Sequence, residues 1–182
     1  MFTNNITFIT GNSAKAEQLS RHLDYPILHQ KIDLAEIQSL KLKEIVEHKA
    51  KEAYKHLSSP VLVEDTSLVF DALGKLPGPL IKWFLAELDN EGLCKILNGY
   101  ESRDAFAEVC FGLYDGKELR LFQGEMRGTI ANSPRGERGF GWDPIFIPSG
   151  YQKTWGEMSV EEQKETSMRK MALKKLESFL KK

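Results

Sequence analysis

Four short segments of this chain carry residue types that can do chemistry. The first is Thr10-Gly11-Asn12-Ser13-Ala14-Lys15, directly after the apolar, β-branched run Ile6 to Ile9. Ala16, Leu19 and Leu23 follow at helical spacing, so the segment reads as a strand, a tight turn and a helix N-terminus. Such a turn presents free backbone N–H groups and the positive end of a helix dipole, and phosphate binds well there. Lys15 falls in the first helical turn, where a cation opposes the dipole and needs a separate reason to stand. A bound polyanion supplies one; the plain alternative is an ordinary βα turn with a solvated lysine.

The second segment is Glu64-Asp65-Thr66, closing the apolar strand Val61-Leu62-Val63. Two adjacent carboxylates there are costly to bury unpaired. Strand ends border the ligand crevice in α/β folds, and Mg²⁺ is commonly held by one or two carboxylates plus substrate phosphates. Exposure at a sheet edge is the alternative. The third segment, Leu76-Pro77-Gly78-Pro79, breaks the chain ahead of Lys82-Trp83-Phe84, with Pro79 suited to the first position of a helix. The fourth is Phe140-Gly141-Trp142-Asp143-Pro144. Two aromatics around a glycine can stack a planar base, and the aspartate can accept its N–H; core aromatics beside a turn aspartate are the competing reading.

The elements that must position these groups follow from periodicity. Pro26 to Ile32 reads as a short strand, ending in the acidic turn Asp33-Leu34-Ala35-Glu36. Leu42 to Leu57 reads as a helix with Leu42, Ile45, Val46, Ala50 and Ala53 on its apolar face. Lys49 falls among them, either snorkelling or aiming an ammonium into a cleft. A helix over Leu80 to Leu88 gives way at Asn90-Glu91-Gly92 to a short one, Leu93 to Leu97. Ala105 to Tyr114 and Glu118 onward toward Ile130 form a hairpin around Asp115-Gly116. Ser133 to Gly139 is a loop and Ile145 to Ile147 a strand. Ser159 to Leu180 is helical, with Met168, Ala172 and Leu176 on one face.

With 182 residues, of which 41% are hydrophobic, the chain fits one globular domain with a substantial core, able to divide into two lobes. A formal net charge of -1 argues against a binder of long nucleic acid and for a small-molecule partner. The two cysteines, Cys94 and Cys110, form no zinc-ligand pattern. No signal pattern and no membrane-spanning apolar run is read, so a cytoplasmic location is the expectation.

Thr-Gly-Asn-Ser-Ala-Lys at 10–15, Val-Leu-Val-Glu-Asp-Thr at 61–66, Leu-Pro-Gly-Pro-Leu-Ile-Lys-Trp-Phe at 76–84 and Phe-Gly-Trp-Asp-Pro at 140–144 together resemble the inosine triphosphatase family, pyrophosphatases that clear non-standard purine nucleoside triphosphates. One such motif is weak evidence, four in the family's order are strong, and the resemblance spans nearly the whole chain. It implies a single domain over 1–182 with a two-lobed α/β fold, a long, curved, mixed sheet flanked by helices, and the active site in the cleft between lobes. It also implies a homodimer. The activity it implies is Mg²⁺-dependent hydrolysis of ITP, dITP or XTP to the monophosphate and pyrophosphate, with Mn²⁺ as a possible substitute.

Carried over residue by residue, the resemblance gives the turn Thr10, Gly11, Asn12, Ser13, Ala14 and Lys15 to the triphosphate. Glu36 becomes a metal carboxylate and Asp65 orients or deprotonates the attacking water near the metal; Glu64, read above as a strand-end carboxylate, joins Glu36 and Asp65 as a candidate metal ligand. Lys49, Lys82 and Lys164 contact substrate, and Phe140, Gly141, Trp142 and Asp143 hold the purine. The family's Ser-His-Arg reads Ser167-Met168-Arg169 here. This departure removes any polar contact of the histidine, since a thioether is at best a weak acceptor.

Base selection follows from hydrogen-bond inversion. Hypoxanthine offers an N1–H donor to Asp143 and an O6 acceptor to Arg169, whereas adenine reverses both. Competing readings are a pyrophosphatase for modified pyrimidine triphosphates, which lacks the Phe-Gly-Trp-Asp motif, and a non-catalytic nucleotide sensor, which has no need of the carboxylates.

Overall fold

The computed structural model describes residues 6–11, 13–23, 25 and 27–181. The chain divides into two compact units. The first takes in the described residues up to Asp65, Val109–Gly124 and everything described from Arg169 onward; the second takes in Thr66–Glu108 and Glu125–Met168.

In the first unit β1 (Ile6–Ile9) runs parallel to β2 (Ile27–Gln30), with Ile6 opposite Ile27 and Ile9 opposite Gln30. It also runs parallel to β3 (Val61–Phe70), with Phe8 opposite Leu62. α1 (Ser13–Leu23) follows β1 and buries Ala16, Leu19 and Leu23 on one stripe. α2 (Leu42–Leu57) buries the five residues its periodicity marks, and packs Leu42, Val46, Ala50 and Ala53 on Ile9, Val61, Val63 and Cys110. Each fully buried aliphatic side chain there contributes about 1.5–3 kcal/mol. α2 ends at Ser58, whose left-handed backbone (φ 50) lets its N–H bond the Tyr54 carbonyl.

The second unit holds β4 (Pro77–Gly78), antiparallel to β3, and α3 (Ile81–Ile96), interrupted at Asp89 where φ is 52. β5 (Asp104–Tyr114) and β6 (Leu119–Ile130) run from one unit to the other. Asp115 Oδ1 accepts the Lys117 and Glu118 N–H groups, both at 2.8 Å, in the turn that joins them. β7 (Phe146–Pro148) pairs antiparallel with β6. The strands form one seven-stranded sheet in the order β2-β1-β3-β5-β6-β7, with β4 on β3, so the fold is mixed α/β with helices flanking the sheet.

Three expectations need correction. β3 does not close at Glu64-Asp65-Thr66 but continues to Phe70, because both carboxylates are matched by cations and Ser67 to Phe70 are buried. Pro79 precedes α3 instead of starting it, since Pro77-Gly78 is drawn into the pairing with β3. The C-terminal helical region is two helices, α4 (Val160–Thr166) and α5 (Met168–Leu180), parted at Ser167 (φ −70, ψ 110). α4 carries a capping box between Ser159 and Glu162, and its last residue, Thr166, is held by the Trp155 indole N–H at 2.8 Å. Met168, Ala172 and Leu176 are buried on α5 as read.

Candidate functional site

Successive strand side chains point to opposite faces, so β3 presents Asp65 on the face shared by Val61 and Val63, against α2, and Glu64 on the other. Each carboxylate meets its own cations.

On the α2 face, Lys49 Nζ donates to Glu36 Oε1 at 3.0 Å and to Asp65 Oδ2 at 3.3 Å. The lysine is 17% exposed, so its position on the apolar stripe serves to aim the ammonium and not to snorkel it. Burial pushes the Lys49 ammonium down, but Asp65 and Glu36 outweigh it and hold its pKa above the ordinary value. Two carboxylates from separate segments thus converge on one cation. These hard oxygen donors fit a small divalent ion, which takes its remaining positions from water and phosphate. Among the described residues no three His, Cys, Asp or Glu are grouped closely enough to hold a metal by themselves.

On the opposite face, Glu64 is 3% exposed. Lys15 Nζ donates to its Oε1 at 3.0 Å, and Arg169 donates to its Oε2 through Nε at 3.1 Å and Nη2 at 2.8 Å. Burial by itself would push the Glu64 carboxyl up; Lys15 and Arg169 outweigh it and hold its pKa below the usual range. The expectation that Glu64 and Asp65 serve one metal together is therefore revised. They face apart, and both Glu64 oxygens are bonded to protein cations. The anion that justifies Lys15 in the first turn of α1 is, in the protein by itself, Glu64. Arg169, expected at the purine, stands here with Glu64, its guanidinium 5.5 Å from the Phe111 ring centroid.

In the turn before α1, the Thr10 N–H bonds Gln30 and its carbonyl accepts from His29 Nε2 at 2.8 Å. Gly11 is exposed and uncrowded. Asn12 lies outside the described residues.

In the second unit, Phe140 to Asp143 form a tight turn leading into a 3₁₀ turn, Asp143–Ile145. Asp143 Oδ2 accepts the Phe140 N–H at 2.6 Å. Gly139, at φ 88, lies so close that an added Cβ would stand 2.2 Å from Asp143 Oδ2, so only glycine fits. Gly141 also has positive φ (62). Phe140 is 72% exposed, free to stack on an incoming ring. Trp142 sits instead against Phe146 and Trp155, at centroid distances of 5.9 and 5.6 Å, so the core-aromatic alternative describes it. Lys82 and Lys164 are exposed on α3 and α4, Ser167 links α4 to α5, and Met168 is buried at the start of α5. The pairing partners of Asn90 and Arg103, described below, had no signal in the sequence beyond the helix break.

Burial pushes the Asp143 carboxyl up to about 6, against the pull of the Phe140 N–H. An acid with a raised folded-state pKa keeps its proton in the native state between the ordinary 3.8 and about 6. Its contribution to stability is full below that window and is lost as pH rises through about 6. At pH 7 the ionised group opposes folding by up to about 3 kcal/mol. Asp143→Asn is expected to raise Tm at pH 7 by roughly 5 °C and to leave it almost unchanged at pH 4. Melting curves at the two pH values check this, and an equal gain at both counts against it.

Residues 6–179 match the model of the Ham1 family. The chain belongs to the Ham1 family. It is 44% identical over 172 residues, 92% of this chain and 88% of the relative, to inosine triphosphate pyrophosphatase 2 of Trypanosoma cruzi. Among solved structures, the Ham1 protein of Staphylococcus aureus is similar with a TM-score of 0.88 at 27% identity, each chain covered to 98%. A HAM1 protein from Coxiella burnetii is similar with a TM-score of 0.89 at 26% identity, covering 97% of this chain and 98% of the other. The Ham1 fold thus accounts for nearly the whole chain.

Proposed function

We propose that this Ham1-family chain hydrolyses non-standard purine nucleoside triphosphates, ITP, dITP and XTP, to the monophosphate and pyrophosphate. The observation that carries the reading is the convergence of Glu36 and Asp65 on the Lys49 ammonium. Membership of the family and the 44% identity to an inosine triphosphate pyrophosphatase support the reaction class, a nucleoside triphosphate pyrophosphatase.

In this reading the turn at Thr10–Lys15, with Lys49, Lys82 and Lys164, neutralises the triphosphate, and electrostatic stabilisation supplies most of the catalysis. Glu36 and Asp65 would hold Mg²⁺, with Lys49 left to face phosphate; such an ion would lower the pKa of water and screen the leaving group. Asp65 orients the water and takes its proton as it attacks the α-phosphorus, and pyrophosphate leaves. Asp143 accepts N1–H of hypoxanthine, and Arg169, which in the protein by itself is bonded to Glu64, turns to donate to O6. A homodimer in the cytoplasm belongs to the same proposal.

The test is pyrophosphate release from a panel of purine and pyrimidine triphosphates with and without Mg²⁺. Two inverted hydrogen-bonding groups cost roughly 2–6 kcal/mol, so kcat/KM for ITP should exceed that for ATP by a factor of about 30 or more. A preference for a pyrimidine, or binding without turnover, sinks the reading. Lys15→Ala should lower kcat/KM about tenfold or more, against no change for Lys117→Ala. Equal values for the two variants would leave Lys15 only its pairing with Glu64.

A further inference from the structure

We propose that Asn90 is a positioning residue for base selection: its side-chain amide holds the 140–143 turn in its base-receiving shape. The assignment rests on the reading of that turn as the purine site.

α3 breaks at Asp89, a non-glycine residue at φ 52, ψ −172, a conformation that L residues rarely adopt. Asp89 then caps the second half of the helix, its Oδ1 accepting the Gly92 N–H at 3.0 Å. Asn90 is the first residue beyond the break. Its Nδ2 donates to the Gly141 carbonyl at 2.9 Å. Its Oδ1 is buried and has no hydrogen-bond partner among the described residues. A continuous helix would avoid the strained residue, and an apolar side chain at 90 would avoid the orphaned acceptor. Both costs are incurred where the amide reaches Gly141, and strain of this kind collects at functional sites.

The second half of α3 is anchored in turn. Arg103 donates through Nη2 to the Cys94 carbonyl at 2.8 Å and the Ala131 carbonyl at 2.7 Å, and through Nε to Ile130 at 2.8 Å. A line of short hydrogen bonds therefore runs from the end of β6 through Arg103, the helix and Asn90 to Gly141. Two residues on stands the Asp143 carboxylate, already bonded to the Phe140 N–H. Holding the Gly141 carbonyl sets the direction of that carboxylate and of the exposed Phe140 ring before a base arrives, so less ordering remains for binding.

The experiment measures KM and kcat for ITP and ATP, with Tm, in the wild type, Asn90→Ala and Asn90→Pro. Proline is well tolerated at the first position of a helix, so Asn90→Pro removes the amide while keeping the helix start. Expected in both variants are a KM for ITP higher by about tenfold, kcat within about twofold, and an ITP-over-ATP ratio lower by about tenfold. Tm of Asn90→Pro should stay at the wild-type value. Unchanged KM and ratio in a wild-type background that does favour ITP overturn the proposal, as does a loss confined to kcat or to Tm. A wild-type enzyme without preference for ITP overturns the purine-site reading itself.

Discussion

Asp65→Asn is expected to reduce kcat by about 10²–10⁴, the usual worth of a positioned general base, while nucleotide still binds. The side chain is nearly isosteric, so β3 and its packing on α2 persist. What disappears is one of two negative charges that converge on the Lys49 ammonium. The variant keeps an oxygen near Lys49 but can neither take a proton from water nor, with Glu36, neutralise a divalent ion. Single-turnover hydrolysis of ITP at saturating Mg²⁺, alongside titration of nucleotide by calorimetry, separates the two effects. Turnover near that of the wild type would remove Asp65 from the chemistry. Loss of binding together with turnover would make it a binding residue only.

Glu64→Gln is expected to act on stability. Removing one partner of a buried ion pair costs roughly 3–5 kcal/mol, and here a single buried carboxylate serves both Lys15 and Arg169. Lys15 is 30% exposed, which tempers the cost toward about 3 kcal/mol, or roughly 6–12 °C in Tm for a chain of this size. The pH dependence supplies an internal control. Lys15 and Arg169 hold the Glu64 pKa below its ordinary 4.5. The stabilisation is therefore fully present above about 4.5 and lost as pH falls through the lower folded-state value. Protonated Glu64 resembles glutamine, so the Tm gap between wild type and variant should be wide at pH 7 and narrow in acid. A gap that stays constant with pH, or one near zero at pH 7, would show that the pair does not stabilise the fold.

Much of the local structure is legible in the residues by themselves. Leu42, Ile45, Val46, Ala50 and Ala53 can share one stripe only on a helix, and the structure buries all five on α2. Asp115-Gly116 between two strand-like runs announces the turn between β5 and β6. Serine at 159 and glutamate at 162 announce the start of α4. These features depend on contacts within a few residues, where periodicity, turn chemistry and capping act directly.

Partner choice across the chain was not legible. Adjacent carboxylates at 64 and 65 read alike in one dimension. Which one joins Lys49 and Glu36, and which is shut in with Lys15 and Arg169, depends on strand parity relative to helices 16 to 105 residues away. The same holds for Trp142, which stacks on Trp155 thirteen positions on, and for Asn90, whose bond to Gly141 spans 51 residues. The sequence by itself determined most of the elements though not all their ends, the family and the residue types a triphosphate chemistry needs, because these follow from local physics and from motif order. Only the tertiary structure decided which charges neutralise one another, because opposite charges choose partners by distance in space, and burial raises what a wrong choice would cost.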